Sequence, residues 1–440
     1  MKALILILSL GVIAGKATPQ MASPSFWASS DSLLMTPAQI AAYNAGLKAE
    51  DDLDLVDIFA SEPVVSGAVV RKAIEAYTIP PGYGYIGTGR STRALRREIL
   101  AARNLAAVPS EVKVRCAVVC TPADLRSFPT ALTCTDDGIV SGSLCFDDFQ
   151  QTQLWLGEGV LVWHESADGK WYFVRGRNYA GWVKAEDIGL CSFDEMSAYV
   201  RSRSFAVTLE QKLVDVAGKR MRLMMGTRLC CNDEGEVLVP VRLDDGSLGV
   251  RAAELDIDLS RGYLPYTLRN VMKQAFRLLG TEYSWGGAGG FNDCSATLLS
   301  VYYCFGIDLP RNSSSMRKMD RGNHYAGELP DGARAGDAGA FACGSGPFAG
   351  PIDYASLQPG SLAVVPGHAM MFLGVVDGEV YILHDVNALY RPGGGASSSV
   401  PGGALAKEHV GRTIVSSTSD LYRKTGLSFL DSFVNIIEVR

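Results

Sequence analysis

The sequence has no Cys-x-x-Cys pair and no excess of basic residues. Past its first twenty residues it has no apolar run long enough to cross a bilayer. Each lack excludes something. Without paired cysteines at ligand spacing a structural zinc site is not expected, and no metal or other cofactor is. A net charge of −6 with no basic field argues against nucleic acid as partner. Histidine is scarce too. Any imidazole chemistry must come from His164, His324, His368, His384 or His409. Ten cysteines are present, but their placement argues for few disulfides. Cys116 and Cys120 lie four residues apart on one face of a strand pattern. At about 3.3 Å per residue they are too distant to bond each other. Cys230 and Cys231 are adjacent. If one cysteine stays free for chemistry, nine remain, and most read as small buried hydrophobes.

The first residues, MKALILILSLGVIAGKATPQ, read as a signal peptide (1–20), with Lys2 as the charged region and small residues near Ala14 to Ala17 for cleavage. The chain is therefore expected to be exported, periplasmic or extracellular, with no membrane span after signal cleavage, and to act as a monomer. At 440 residues it is too long for one core.

Residues 21–110 read as a helical N-terminal clamp. Thr36 caps a helix with Pro37 just inside it, VVSGAVVRKAIEAY (64–77) is a second helix, and RSTRALRREILAARNLAAV (90–108) a third, basic and amphipathic. From 111 to 191 the pattern changes to short strands with turns at Gly157–Gly159 and Asp168–Gly169, which implies a small β-barrel. Residues 192–257 read as a second copy, since GVRAAEL echoes GWVKAEDI. Residues 258–440 begin α and end β. The expected fold class is thus multidomain α+β: a helical clamp, two small β-barrels and a C-terminal α+β domain.

The chemistry concentrates between Gly280 and Arg311, GTEYSWGGAGGFNDCSATLLSVYYCFGIDLPR. Cys294 follows a glycine-rich loop and opens an apolar helix pattern. Unpaired N–H groups and a partial positive charge at a helix start favour thiolate. The glycines would let backbone approach whatever binds there. Two later histidines, His368 and His384, fall on strand patterns. Nucleophile first, base second and orienting residue third is the order of a Cys–His–polar site. A geometric condition follows. With a two-residue Asp377–Gly378 turn, His384 would face away from His368. A three-residue Val376–Gly378 loop with a bulge would put His384 opposite Met370, on the face of His368.

GEGVLVWHESADGKWYFVRGRNYAGWV resembles a bacterial SH3-like domain. YSWGG, DCSATL, LPRNSS, LQPGSL, GHAMMFLG and an isolated strand histidine, in that order, resemble the NlpC-type cysteine peptidases, papain-like enzymes that cut cell-wall peptides at γ-D-glutamyl bonds. The layout is similar to the branch of dipeptidyl-peptidases that release L-Ala-γ-D-Glu from cell-wall peptides with a free N-terminal alanine. The resemblance implies Cys294, His368 and His384 as triad and Tyr283 on the oxyanion side. It also implies Asp293, helped by Ser313, as partner of the substrate ammonium. In this branch the first barrel caps the cleft. Tyr179 is the candidate aromatic, Glu158 or Asp148 the acid, and Trp285 a further lining residue. An unpaired acid beside the nucleophile would select a free amine, because an acylated amine leaves it unsatisfied. Two positions depart from the pattern: Asn312 stands where an aspartate is usual, and Ser361 stands within Gly360–Leu362 where Gly-Asp-Leu is usual. The alternatives are an endopeptidase or amidase acting on intact wall, with the barrels as wall-binding modules, and a non-catalytic wall-binding protein.

Overall fold

The computed structural model describes residues 11–320, 323–324 (backbone), 352–392, 405–419, 421–424 and 426–440. The chain folds as two compact units. One comprises the residues up to Leu53 with Leu264–Tyr283 and Asn292–Arg440. The other comprises Asp54–Tyr263 with Ser284–Phe291.

The first unit opens with β1 (Ile13–Ala14), which pairs in parallel with Val415 and Ser416. Residues 1–10 of the expected signal peptide lie outside the described residues, and this two-residue strand falls in its last part. Helix α1 (Pro37–Lys48) starts as its sequence requires: Thr36 Oγ1 accepts from the Gln39 N–H at 3.3 Å, and Pro37 occupies a position whose N–H would have no partner. It is anchored within this unit, with Asn44 donating to the Gly306 carbonyl at 2.8 Å and Lys48 pairing with Asp308 at 2.9 Å. The expected 21–110 clamp is therefore not one body. The chain divides after Leu53, because α1 packs with the C-terminal domain and the later helices do not.

The second unit contains those helices, α2 (Gly67–Glu75) and α3 (Arg93–Ala102). Its main sheet has seven strands: β2 (Arg115–Val119), β3 (Ala123–Arg126), β4 (Gln150–Leu154), β5 (Gly159–Glu165), β6 (Trp171–Arg175), β7 (Ala180–Lys184) and β8 (Ile188–Cys191). Their order is β8-β2-β5-β6-β7-β3-β4. Alternating Val, Leu and Ala side chains on these strands fill one core, among them Val119, Leu125, Val160, Val174 and Val183. Outside that core Trp171, Phe173 and Trp182 meet Val70 and Ile74 of α2. Burying one such aromatic ring contributes about 2–3 kcal/mol, which explains why α2 stays with the barrel. After α4 (Phe193–Val200), strands from Phe205 to Arg261 form three small sheets around a separate core that includes Val214, Leu223, Leu229 and Val239.

The remainder of the first unit supplies α5 (Leu268–Arg277), α6 (Cys294–Tyr303), β9 (Leu362–Val365), β10 (His368–Val376), β11 (Glu379–Pro392), β12 (Leu405–Ser417) and β13 (Asn435–Ile437). The sheet runs β1-β12-β11-β10-β9-β13, then the short strand Asn323–His324. The β10–β11 turn differs from the expectation. It is a two-residue turn, Val376 opposite Glu379, with Asp377 and Gly378 both at positive φ (51° and 78°), the signature of a type I′ turn. The extra residue sits higher in the strand. Phe372 pairs with Ile382 but Gly374 pairs with Tyr381, so Leu373 is a bulge, and Gly374 at φ 149° supplies a backbone that only glycine adopts readily. Met371 then pairs with Leu383, and the register brings His384 opposite Met370 after all. The condition on the histidines is met by a different device.

Candidate active site

Cys294 is the first residue of α6. The helix is started by Asp293, whose Oδ1 accepts from the Ala296 N–H at 2.8 Å. The backbone N–H of Ala369 donates to the Cys294 sulfur, which places the thiol against β10 at the residue after His368. Burial pushes the thiol up to about 12. The Asp293 charge adds to this, while the Ala369 N–H and Arg311 oppose it. The cysteine therefore rests as a thiol.

His368 Nε2 and His384 Nδ1 are 3.0 Å apart, and His384 Nε2 lies 3.0 Å from Ser416 Oγ. One assignment of protons satisfies this chain with a base at its end. His384 Nε2–H donates to Ser416, His384 Nδ1 accepts from His368 Nε2–H, and His368 Nδ1 is left to take a proton. Burial lowers His368 to about 4 and His384 well below its ordinary value, so both rings are neutral at pH 7. The Asp293 charge partly offsets the shift at His368, which places that ring near the residue preceding Cys294. Phe429 covers both rings, at 6.1 and 6.4 Å between centroids.

The neutral pair has a consequence for stability. Between pH 6.5 and about 4 the unfolded chain binds a proton that folded His368 refuses, so stability falls as pH drops through that window. The expected loss from pH 7 to pH 4.5 is roughly 2–3 kcal/mol from this group. Urea unfolding at the two pH values should show that this share vanishes in His368→Asn. An unchanged pH dependence in the variant would contradict the assignment.

Asp293 is not an unpaired acid. Arg311, 5% exposed, donates to both its oxygens at 3.1 and 2.7 Å, and the Ser295 hydroxyl donates to Oδ1 at 3.1 Å. Despite full burial its carboxyl is held below the usual range by this pairing. The expectation of a free carboxylate is corrected accordingly: the arginine two residues before Ser313 already neutralises it. Ser313 starts the short helix Ser313–Met316 and is half-buried. Tyr283 is buried, and its phenol is raised first by burial and next by proximity to Cys294 and Asp293.

Three residues of this site were not singled out from sequence. Ser416 ends the histidine chain. Arg311 neutralises Asp293. Asp385, wholly buried on the face of β11 opposite His384, accepts from Thr297 of α6 at 3.3 Å. Burial raises its carboxyl well above the ordinary value, so it is a neutral acid joining α6 to β11. Nothing in a one-dimensional pattern marks these three, because each is defined by a partner more than a dozen residues away.

The remaining candidates belong to the second unit. Tyr179 donates to Gln151 Oε1 at 3.3 Å. Glu158 pairs with Arg177 at 2.8 Å, and Asp148 is hydrogen-bonded with Tyr83 and raised by burial. Trp285 is 39% exposed and packs on Phe146, with centroids 5.2 Å apart. The glycines of this loop do permit close approach, but to the protein itself. A Cβ on Gly286 would meet Gln150 at 2.7 Å, and one on Gly290 would meet Arg222 at 2.8 Å. Gln150 and Gln211 donate to the carbonyls of Gly286 and Gly290. Among the described residues no cluster of three metal-ligating side chains occurs, and no helix is long and apolar enough to cross a membrane.

Residues 280–347 match the model of the NlpC/P60 family, and residues 141–184 match that of an SH3 domain of the SH3b1 type. No curated protein sequence matches the chain. Among solved structures the fold is similar to an NlpC/P60 endopeptidase from Photobacterium damselae subsp. piscicida. The TM-score is 0.67 at 17% identity, over 93% of this chain and 97% of that one. An NlpC/P60 family protein from Bacillus cereus ATCC 10987 aligns at a TM-score of 0.45 and 16% identity, over 73% of this chain and 99% of that one. The chain is a multidomain α+β protein that carries a papain-like domain of the NlpC/P60 peptidase family together with an SH3-like domain.

Proposed function

We propose that this chain is an exported, monomeric cysteine peptidase that hydrolyses the γ-D-glutamyl–diamino-acid bond of cell-wall peptides, releasing L-Ala-γ-D-Glu where the alanine is free. The observation that carries the chemistry is the chain of contacts from His368 through His384 to Ser416 beside a helix-start cysteine. In this reading His368 Nδ1 takes the thiol proton as Cys294 attacks the carbonyl. The Cys294 N–H and the Tyr283 hydroxyl receive the oxyanion. The proton passes to the leaving amine, a thioester remains, and water activated by the same imidazole hydrolyses it. The neutral resting pair makes proton transfer part of the attack rather than a prior step.

Asp293, with Ser313, is the residue proposed to meet the substrate ammonium, and Tyr179 and Trp285 are proposed as further substrate-binding residues. A second reading has a specific observation in its favour. With Arg311 on both Asp293 oxygens and Asn312 in place of an acid, this end of the site has little negative charge left for an ammonium. That favours an endopeptidase indifferent to N-acylation. Incubation with L-Ala-γ-D-Glu-diamino-acid tripeptide, free and N-acetylated, separates the two. Cleavage of the free peptide at least tenfold faster supports the dipeptidyl-peptidase. Equal rates establish the endopeptidase, and cleavage of neither rejects both.

A further inference from the structure

The cysteine placement argues for few disulfides, and most of the cysteines read as small buried hydrophobes. That expectation considered partners along one strand. The sheet supplies a partner across strands: in the antiparallel pair of β2 and β8, Cys191 lies directly opposite Cys116. Directly opposed residues point to the same face, with Cα atoms about 4.5–5.5 Å apart, inside the roughly 4.4–6.8 Å range of disulfides. In keeping with that pairing, the Cys116 charge is the largest influence on the Cys191 thiol after burial. Both sit in one apolar cluster with Val118, Leu161, Met196 and Tyr199.

The pair is also reachable. A groove of about 490 Å³ is lined by Arg115, Cys116, Cys191, Ser192 and Phe193. Cys191 is partly exposed while Cys116 is 7% exposed, so Cys191 is the thiol that a reagent meets first.

We propose that Cys116 and Cys191 form a reversible disulfide that staples the edge strand β8 to β2 and closes the first barrel, residues 116–191, into a covalent loop. The oxidant is a small-molecule disulfide. The Cys191 thiolate attacks one of its sulfurs and expels one thiol. Cys116, giving up its proton, then attacks the Cys191 sulfur of the mixed disulfide and expels the second. Two protein thiols are oxidised by two electrons, and one external disulfide is reduced to two thiols. Both protein thiols are raised by burial, so the reaction runs faster as pH increases. A loop of this length constrains the unfolded chain strongly, so the oxidised protein should melt several degrees higher.

The test uses the full chain with Cys294→Ala, which removes the reactive nucleophile from the count. It is incubated with oxidised glutathione at pH 8, then denatured and alkylated without reduction, and its peptides are mapped by mass spectrometry. The expected result is one linked species joining the Cys116 and Cys191 peptides, about 2 Da lighter than the two thiols. Dithiothreitol should release it and lower the melting temperature of the same sample. Cys191→Ala should show neither the species nor the redox-dependent melting shift. Comparison of oxidised with reduced protein needs no further variant, so a poorly folding substitution does not decide the matter. Full alkylation of both cysteines, a stable glutathione adduct on Cys191, or linkage of either residue to Cys230 would each overturn the proposal.

Discussion

Cys294→Ala is expected to lower kcat/KM on the cell-wall tripeptide by at least about 10⁴, equivalent to roughly 5.5 kcal/mol of transition-state stabilisation. The size follows from the role. Alanine removes the only group that can form the thioester, and neither the oxyanion donors nor substrate binding replaces a nucleophile. The fold should tolerate the change, because what the sulfur receives in the resting state is one backbone N–H, from Ala369. Leaving that donor without its acceptor costs about 1–3 kcal/mol. His368→Ala should fall to the same floor, and the double variant should be no worse than either, since nucleophile and base act as one unit. Ser416→Ala is expected to lose far less, about tenfold, because Ser416 holds His384 and touches no reacting atom. Residual activity above a few per cent in Cys294→Ala, or additive losses in the double variant, would reject the mechanism.

The positions of these groups were legible in the sequence to unequal degrees. Cys294 was legible because a helix start has a local signature: an acid cap, a glycine-rich approach and an apolar run. The three helices of residues 36–108 and the strands of the first barrel follow from equally local rules. The histidine pair was legible only as a condition. Period-two alternation fixes which face a strand residue takes, and one bulge reverses it. Pattern alone could not say whether that bulge lay in the turn or at Leu373. The Asp377–Gly378 sequence in fact favours the tight turn, and Gly374 was the remaining sign of a bulge in the strand. Long-range partners were not legible. Arg311 was read as part of a motif rather than as the counter-ion of Asp293, and Cys191 was not read as the partner of Cys116. The pattern of loop glycines reads as backbone held close to a bound group. What approaches them is Gln150 and Arg222, both remote in sequence.

Arg311→Leu is expected to destabilise the first unit by roughly 3–5 kcal/mol, the usual cost of leaving one member of a buried ion pair alone. The pair is bidentate, and both side chains are almost fully removed from water. Leucine fills part of the space but cannot supply the two N–H donors, so the Asp293 carboxylate keeps its desolvation cost without its counter-charge. Asp293→Asn retains an oxygen able to cap α6 and strands the guanidinium instead. The two substitutions together should therefore cost less than the sum of their separate effects, and urea unfolding of the four proteins measures that coupling. Activity should respond with a definite sign. Arg311 lowers the Cys294 thiol and the Asp293 charge raises it, so losing the arginine should move the alkaline rise of kcat/KM to higher pH. Stability within 1 kcal/mol of the parent, together with an unmoved pH profile, would show that Asp293 does not depend on Arg311. The carboxylate would then be available to a substrate ammonium, as the free-amine reading requires.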